Sequence, residues 1–327
     1  MFGCLKSVAA AAAHGLLFFG ACGAAFAQSY PAAPVHWIVP FPAGSGTDVM
    51  TRAIAQPLSI SLGKPVIVEN RAGANTLVGL EAAARAAADG YTMVTTVFGS
   101  VIVNPFMYRK LPYDPQRDFE PVSLFARVPL MLVVNEPSPV KSLSEFVAYA
   151  RARPGKLNFG SSGVGHPFYL AMEMFKQRTR TDIVHVPYKG TSQATQDLAA
   201  GRLDVMFNAP VDALALIKAG KLRALATATR QRLPSLPDVP TFEEAGMPDF
   251  NIASWMAVMV PAGTPKEIVA RLNREIVKAV NSPELSKFYA NLDMLPATNT
   301  PEEFAQLIQR ETEAWGPLIK SLGISLE

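Results

Sequence analysis

The chain has 327 residues, 49% of them hydrophobic and 17% charged, with a formal net charge of +3. That balance excludes a disordered or solvating polymer. Without a long block of like charge, it also argues against a nucleic-acid groove or a polybasic membrane patch.

Lys6 is the only charge ahead of an apolar run over residues 7–26, which ends in Ala25-Phe26-Ala27, a small-x-small cleavage site. This order matches the three regions of a secretory signal, so residues 1–27 are expected to be removed after Ala27 on export. A lipoprotein signal at Cys22 is the rival, weakened by Phe19 where an aliphatic residue is usual. Cys4 and Cys22 are the only cysteines and both precede the cut. A thiol nucleophile, a disulfide and a cysteine metal site are therefore not expected in the mature protein.

From Trp37 onward, short β-branched runs alternate with Ala/Leu-rich helical stretches. Strands are predicted at 36–39, 66–68, 92–97, 131–134, 183–186, 203–207 and 222–226. Helices are predicted over 48–62 and 77–88, and from Ser144, Pro167, Ser192, Pro210, Pro265 and Pro301. Such alternation implies an α/β protein with mainly parallel sheets flanked by helices. Thr264-Pro265-Lys266-Glu267 and Thr300-Pro301-Glu302-Glu303 read as capped starts with Thr at the cap. Ser142 with Glu145 is a third capping box. Phe304, Ile308, Trp315 and Leu318 share one face of the last helix. The length suits two lobes, with the Pro-rich stretches 127–139 and 234–261 as chain crossings.

Two glycine-rich turns lie between strand and helix, Pro40-Phe41-Pro42-Ala43-Gly44-Ser45-Gly46-Thr47-Asp48 and Phe159-Gly160-Ser161-Ser162-Gly163-Val164-Gly165-His166. Glycine admits a ligand close to the backbone, and the free N–H groups of the following helix favour an anion. Hydroxyls of Thr47, Ser161 and Ser162 add neutral donors. A nucleophile elbow fails because Val164 stands where its last glycine belongs, and the dinucleotide fingerprint fails at Val49. His36 and His185 abut strands and read as packing residues. His166 sits at the helix end of the second turn. Asn208 falls at the end of a strand, the usual ligand side of an open sheet, and Asp204 and Tyr188-Lys189-Gly190 border strands in the same way.

The sequence resembles the Bordetella uptake gene (Bug) family, periplasmic substrate-binding proteins of tripartite tricarboxylate transporters. The resemblance is carried by Ile38-Val39-Pro40-Phe41-Pro42-Ala43-Gly44 with Thr47-Asp48, by Val68-Glu69-Asn70-Arg71-Ala72-Gly73-Ala74, and by Gly160-Ser161-Ser162-Gly163-Val164-Gly165. His185-Val186-Pro187-Tyr188-Lys189-Gly190 and Leu236-Pro237-Asp238-Val239-Pro240-Thr241 continue it. It implies a two-lobed Venus flytrap with a small carboxylate between the lobes, lobe 1 at residues 28–129, lobe 2 at 130–253 and a return to lobe 1 at 254–327. The implied site comprises Phe41, Ala43, Gly44, Thr47 and Asp48 from the first turn and Ser161, Ser162 and Gly165 from the second, with Ser100 and Asn208 at strand ends. His166 and Asn208 depart from the family's usual serine and aspartate. Asn208 offers no charge to an ammonium, so an amine-free mono- or dicarboxylate, aliphatic or aromatic, is expected. If His166 donates to it, affinity should fall as pH rises through the bound-state pKa. The expected partners are that ligand and transporter membrane subunits, with no cofactor, metal or nucleic acid, and a monomeric state. An exported hydrolase or isomerase using His166 with Asp48, or a ligand-loaded partner of a membrane sensor, are the alternatives.

Overall fold

The computed structural model describes residues 30–161, 163–188, 190–250, 252–323 and 325. The signal region, Cys4, Cys22, Ser162 and Lys189 lie outside the described residues. No helix among those described is long and apolar enough to cross a membrane.

Two sheets organise the described residues from Ala33 onward. Strands β1 (Val35–Val39), β2 (Val66–Asn70), β3 (Thr92–Val97), β4 (Phe119–Pro129), β10 (Ala253–Pro261) and β11 (Leu295–Pro296) form the first, in the order β11-β4-β10-β3-β1-β2. Strands β5 (Met131–Asn135), β6 (Leu157–Ser161), β7 (Ile183–Pro187), β8 (Val205–Asn208) and β9 (Leu222–Thr227) form the second, in the order β7-β6-β8-β5-β9. The chain passes between the sheets at Leu130 and again between Thr227 and Ala253. The crossings touch: Ala228 N–H donates to Leu130 O at 2.7 Å, and Ile252 N–H donates to Ala228 O at 3.2 Å.

The α/β class and the two lobes are as the alternation predicts, but the sheets are mixed rather than mainly parallel. Parallel pairs arise where helices return the chain. Helices α1 (Gly46–Leu62) and α2 (Leu77–Ala84) connect the parallel neighbours of β1, and α5 (Pro167–Thr179) and α6 (Thr191–Ala199) connect those of β6. The antiparallel half is built on β4 and β10, which pair from Ala253 opposite Pro129 to Pro261 opposite Phe119. The crossing at Leu130 and the one that ends at Ala253 fall within the Pro-rich stretches 127–139 and 234–261, and each stretch also contributes strand residues to the ladder. Pro129 and Pro261 sit at strand ends, and Pro121 borders a register shift, positions where a missing N–H breaks no central ladder. At the second shift Phe125 is fully buried, packs edge-on against Trp37 at 6.2 Å and accepts a hydrogen bond from the Tyr289 hydroxyl through its carbonyl.

Helices α3 (Asn104–Met107), α4 (Leu143–Arg151), α7 (Pro210–Lys218), α8 (Lys266–Val280), α9 (Pro283–Asn291) and α10 (Pro301–Ser321) complete the fold. Thr300 forms the expected capping box with Glu303 and packs Pro301 into the first turn. The Thr264 cap does not form: the helix starts one residue later with Pro265 at the cap, and Thr264 Oγ1 donates to Pro261 O at 2.7 Å. Ser142 caps Glu145 N–H, while the Glu145 carboxylate accepts from Lys141 rather than Ser142. Phe304 and Trp315 of α10 bury against Trp255 and Phe98, at ring distances of 5.4 Å each, so the C-terminal helix belongs to the first sheet's core. Phe207, Phe242 and Phe250 stack in the second lobe.

Candidate functional site

The first turn leaves β1 and enters α1. Ser45 caps the helix by accepting from Asp48 N–H at 3.3 Å, and Gly44, at φ +79°, turns the chain so that its N–H donates to Asp48 Oδ2 at 2.8 Å. Asp48 also accepts from Asn70 Nδ2 at 2.8 Å and from Arg52 Nε at 3.0 and 3.1 Å. Asn70 in turn donates to Phe41 O at 3.1 Å. Burial opposes ionisation of Asp48, but donation from Arg52, Gly44 and Asn70 outweighs it and holds the carboxyl below its ordinary value. Asp48 therefore ties the turn to β2. Thr47 is buried and its backbone N–H, like that of Gly46, lies in the first helical turn without an intrahelical acceptor.

The second turn leaves β6 and enters α5. His166 is the cap: its Nδ1 accepts from Phe168 N–H at 3.3 Å, with Pro167 at the first helical position. That bond fixes the neutral tautomer with the proton on Nε2. Burial pushes the imidazole down to about 4. Ser161 is fully buried, and its Oγ bonds His185 Nε2 at 2.8 Å and accepts from Gly163 N–H at 3.3 Å. His185 packs on Phe159 and Tyr169. Asn208 is fully buried; its Nδ2 donates to Thr195 Oγ1 at 2.8 Å and its Oδ1 has no hydrogen-bond partner.

The two turns meet across a cavity of 440 Å³ between the sheets. Phe41, Thr47 and Ser100 face it from the first lobe and Gly165 and His166 from the second. Ala43, Gly44, Asp48, Ser161 and Asn208 do not line it. Of these, Ala43 and Gly44 are exposed on the turn, and the other three are bonded within their own lobes. Asp204 braces β6 by accepting from Asn158 N–H at 2.7 Å, and Tyr188 donates to Asp197 at 2.9 Å, so neither reaches the cavity.

The sequence reading missed part of the wall. Asn75, Thr76, Asn104, Tyr108 and Ser254 also line it. Ala74, Asn75 and Thr76 are three successive non-glycine residues at positive φ (44°, 50° and 76°), a conformation costing on the order of 1–3 kcal/mol per residue. An Asn-Thr pair just ahead of an apolar helix was the available signal, but it reads as an ordinary cap. Thr76 stands at that cap and makes no side-chain capping bond. No Asp, Glu, Lys or Arg is among the described lining residues. The described lining thus offers an anion neutral donors, as many anion sites at helix N-termini do.

Fold and cleft define a two-lobed solute-binding protein. The profile of the tripartite tricarboxylate transporter family receptor matches residues 50–324, and the chain belongs to that family. Protein BugT of Bordetella pertussis is 38% identical over 302 residues, covering 92% of this chain and 93% of that protein. An R. palustris protein solved with adipate shares 35% identity at a TM-score of 0.80, covering 91% and 100% of the two chains. MatC from Rhodopseudomonas palustris with bound malate shares 32% identity at a TM-score of 0.74, covering 89% and 100%. The resemblance to the Bug family, read from segments along the chain, is borne out.

Proposed function

We propose that this protein captures an amine-free carboxylate, above all a dicarboxylate, in the inter-lobe cavity and presents it to transporter membrane subunits. The observation carrying this reading is the cavity itself. It is of ligand size, walled by hydroxyls, amides, one imidazole and apolar side chains, and has no charged side chain among the described lining residues. A carboxylate can be held there by the N–H groups at the start of α1, Thr47 and His166. An α-ammonium would meet no counter-charge, because Asp48 is committed to Arg52 and Asn70. The adipate and malate found in two relatives are amine-free dicarboxylates. The same commitments weigh against a hydrolase using His166 with Asp48: each already serves its own turn. Cleavage after Ala27 and a periplasmic, monomeric mature protein complete the proposal, with residues 28–129 and 254–327 closing on 130–253.

A thermal-shift screen of mono-, di- and tricarboxylates against amino acids and sugars tests it. A true ligand at about 100 times its dissociation constant adds about 2.7 kcal/mol of stability. Stabilisation confined to amino acids or sugars would overturn the reading.

His166 acts in this scheme as a neutral Nε2–H donor. Any gain from protonating it would be lost as pH rises through its bound-state pKa, and the free value of about 4 puts that window in acid. Affinity for a fully ionised dicarboxylate should therefore stay flat between about pH 6.5 and 8.5. This moves the expected pH dependence out of the neutral range. His166→Asn keeps an acceptor for Phe168 N–H but replaces the imidazole Nε2–H by a shorter amide donor that reaches less far into the cavity, and should weaken binding by roughly 0.5–3 kcal/mol. A steep decline in wild-type affinity across the neutral range, read by calorimetry, would mean that an imidazolium holds the ligand.

A further inference from the structure

Behind the second turn stands a histidine that does not line the cavity. His185, on β7, is half-buried against Phe159 and Tyr169, and its Nε2 lies 2.8 Å from Ser161 Oγ. Ser161 Oγ makes two more contacts, both with Gly163: it accepts from the N–H at 3.3 Å and donates to the carbonyl at 3.2 Å. A hydroxyl has one proton, and the carbonyl takes it. The third contact is then satisfied only by an imidazole with its proton on Nε2, so His185 is the donor. The opposite tautomer would draw the serine proton to itself and leave Gly163 O facing an oxygen lone pair at 3.2 Å. Burial, and after it the Lys176 charge, hold the imidazole below its ordinary value, so the ring is neutral at neutral pH.

The residue held in this way matters to the site. Gly163 has φ +119°, a region open mainly to glycine, and it has no side chain of its own to fix the turn. Its carbonyl also accepts from His166 N–H at 3.3 Å, and Gly165 and His166 face the cavity. A run of hydrogen bonds therefore leads from β7, an edge strand of the second sheet, through Ser161 and Gly163 to the cavity wall.

We infer that His185 is a positioning residue for ligand capture: its Nε2–H orients the Ser161 hydroxyl, and that hydroxyl fixes Gly163 and with it the seat of Gly165 and His166. This rests on the capture reading above and gives a residue outside the cavity a share in the cavity's affinity.

Calorimetry on the mature chain with succinate and adipate tests this through a pair of variants. His185→Leu removes both the ring and the donor, whereas His185→Gln loses the ring and keeps an N–H donor. The leucine variant should bind the acid that wild type binds roughly 5- to 50-fold more weakly, and the glutamine variant should stay within about threefold of wild type. Both lose the packing on Phe159 and Tyr169, so a role in packing alone would cost the two equally in affinity, or cost neither. Ser161→Ala should weaken binding to a similar degree. Adding His185→Leu to it should change affinity by less than about twofold, because the hydroxyl through which His185 acts is already gone. Proton–nitrogen correlation spectra of the wild-type imidazole at neutral pH supply a readout that needs no variant to fold. A proton on Nε2 is expected, and a bare Nε2 would overturn the assignment. Equal effects of leucine and glutamine, or losses that multiply in the double variant, would also overturn it while leaving carboxylate capture standing. A wild type that binds no carboxylate would overturn both.

Discussion

Gly165→Val is expected to weaken ligand binding by about 100-fold or more, equivalent to about 2.7 kcal/mol. Two separate effects converge at this position. The residue holds φ +86°, which a β-branched side chain adopts only with strain. A Cβ there would also lie 2.3 Å from Met107 Sδ and 2.7 Å from Met107 Cε, and Met107 is itself buried. The second lobe's turn rests on the first lobe at this contact, so a side chain would push the Met107 tip into the ligand cavity or hold the lobes apart. Comparing Gly165→Ala with and without Met107→Ala separates the causes: the second change removes the collision and keeps the same backbone strain. Recovery in the double variant of part of the affinity lost in Gly165→Ala is expected in calorimetry. Wild-type affinity in Gly165→Val would show that the lobes close elsewhere.

Asp48→Ala is expected to cost about 2–4 kcal/mol of stability, read by urea unfolding, and to weaken binding as the first turn loosens. The substitution strands the Gly44 N–H and the Asn70 amide, both within 2.8 Å of the carboxylate. The Arg52 side chain is half exposed and rehydrates, which limits the loss. The pH dependence follows from the sign of the shift. Asp48 has a folded pKa below its ordinary value of 3.8, so its contribution is complete above that value and is lost as pH falls through the depressed one. The stability gap between wild type and Asp48→Ala should thus be constant from about pH 8 to 5 and close only in acid. A gap that narrows near neutrality would contradict this role.

Much of the lobe architecture was legible because local signals and tertiary packing agree. Gly63 stops α1 in a left-handed cap, and the Thr300 box starts the helix that carries Phe304 and Trp315 into the core. The β4–β10 ladder was hidden because proline is a local signal, whereas the tolerance of Pro121 and Pro129 depends on a register shift and a strand end that only pairing creates. The site divides the same way. Glycines and hydroxyls mark the two turns, but sequence does not say whether a polar side chain serves a ligand or its own loop. Asp48, Ser161 and Asn208 serve their loops and strands in this conformation. Asn75 and Asn104 are 29 residues apart and meet only because the π-helical turn Gly99–Val103 brings α3 beside the strained segment.

On the proposed function, a cleft with neutral donors and no carboxylate among its described lining residues accepts an anion and refuses an ammonium. Calorimetric titration of matched pairs, succinate against aspartate and glutarate against glutamate, measures this most directly. Binding of the amine-free member, with the amino acid weaker by at least about tenfold in each pair that binds, is the predicted result. Tight binding of aspartate or glutamate, with no measurable binding of succinate, glutarate or adipate, would contradict it.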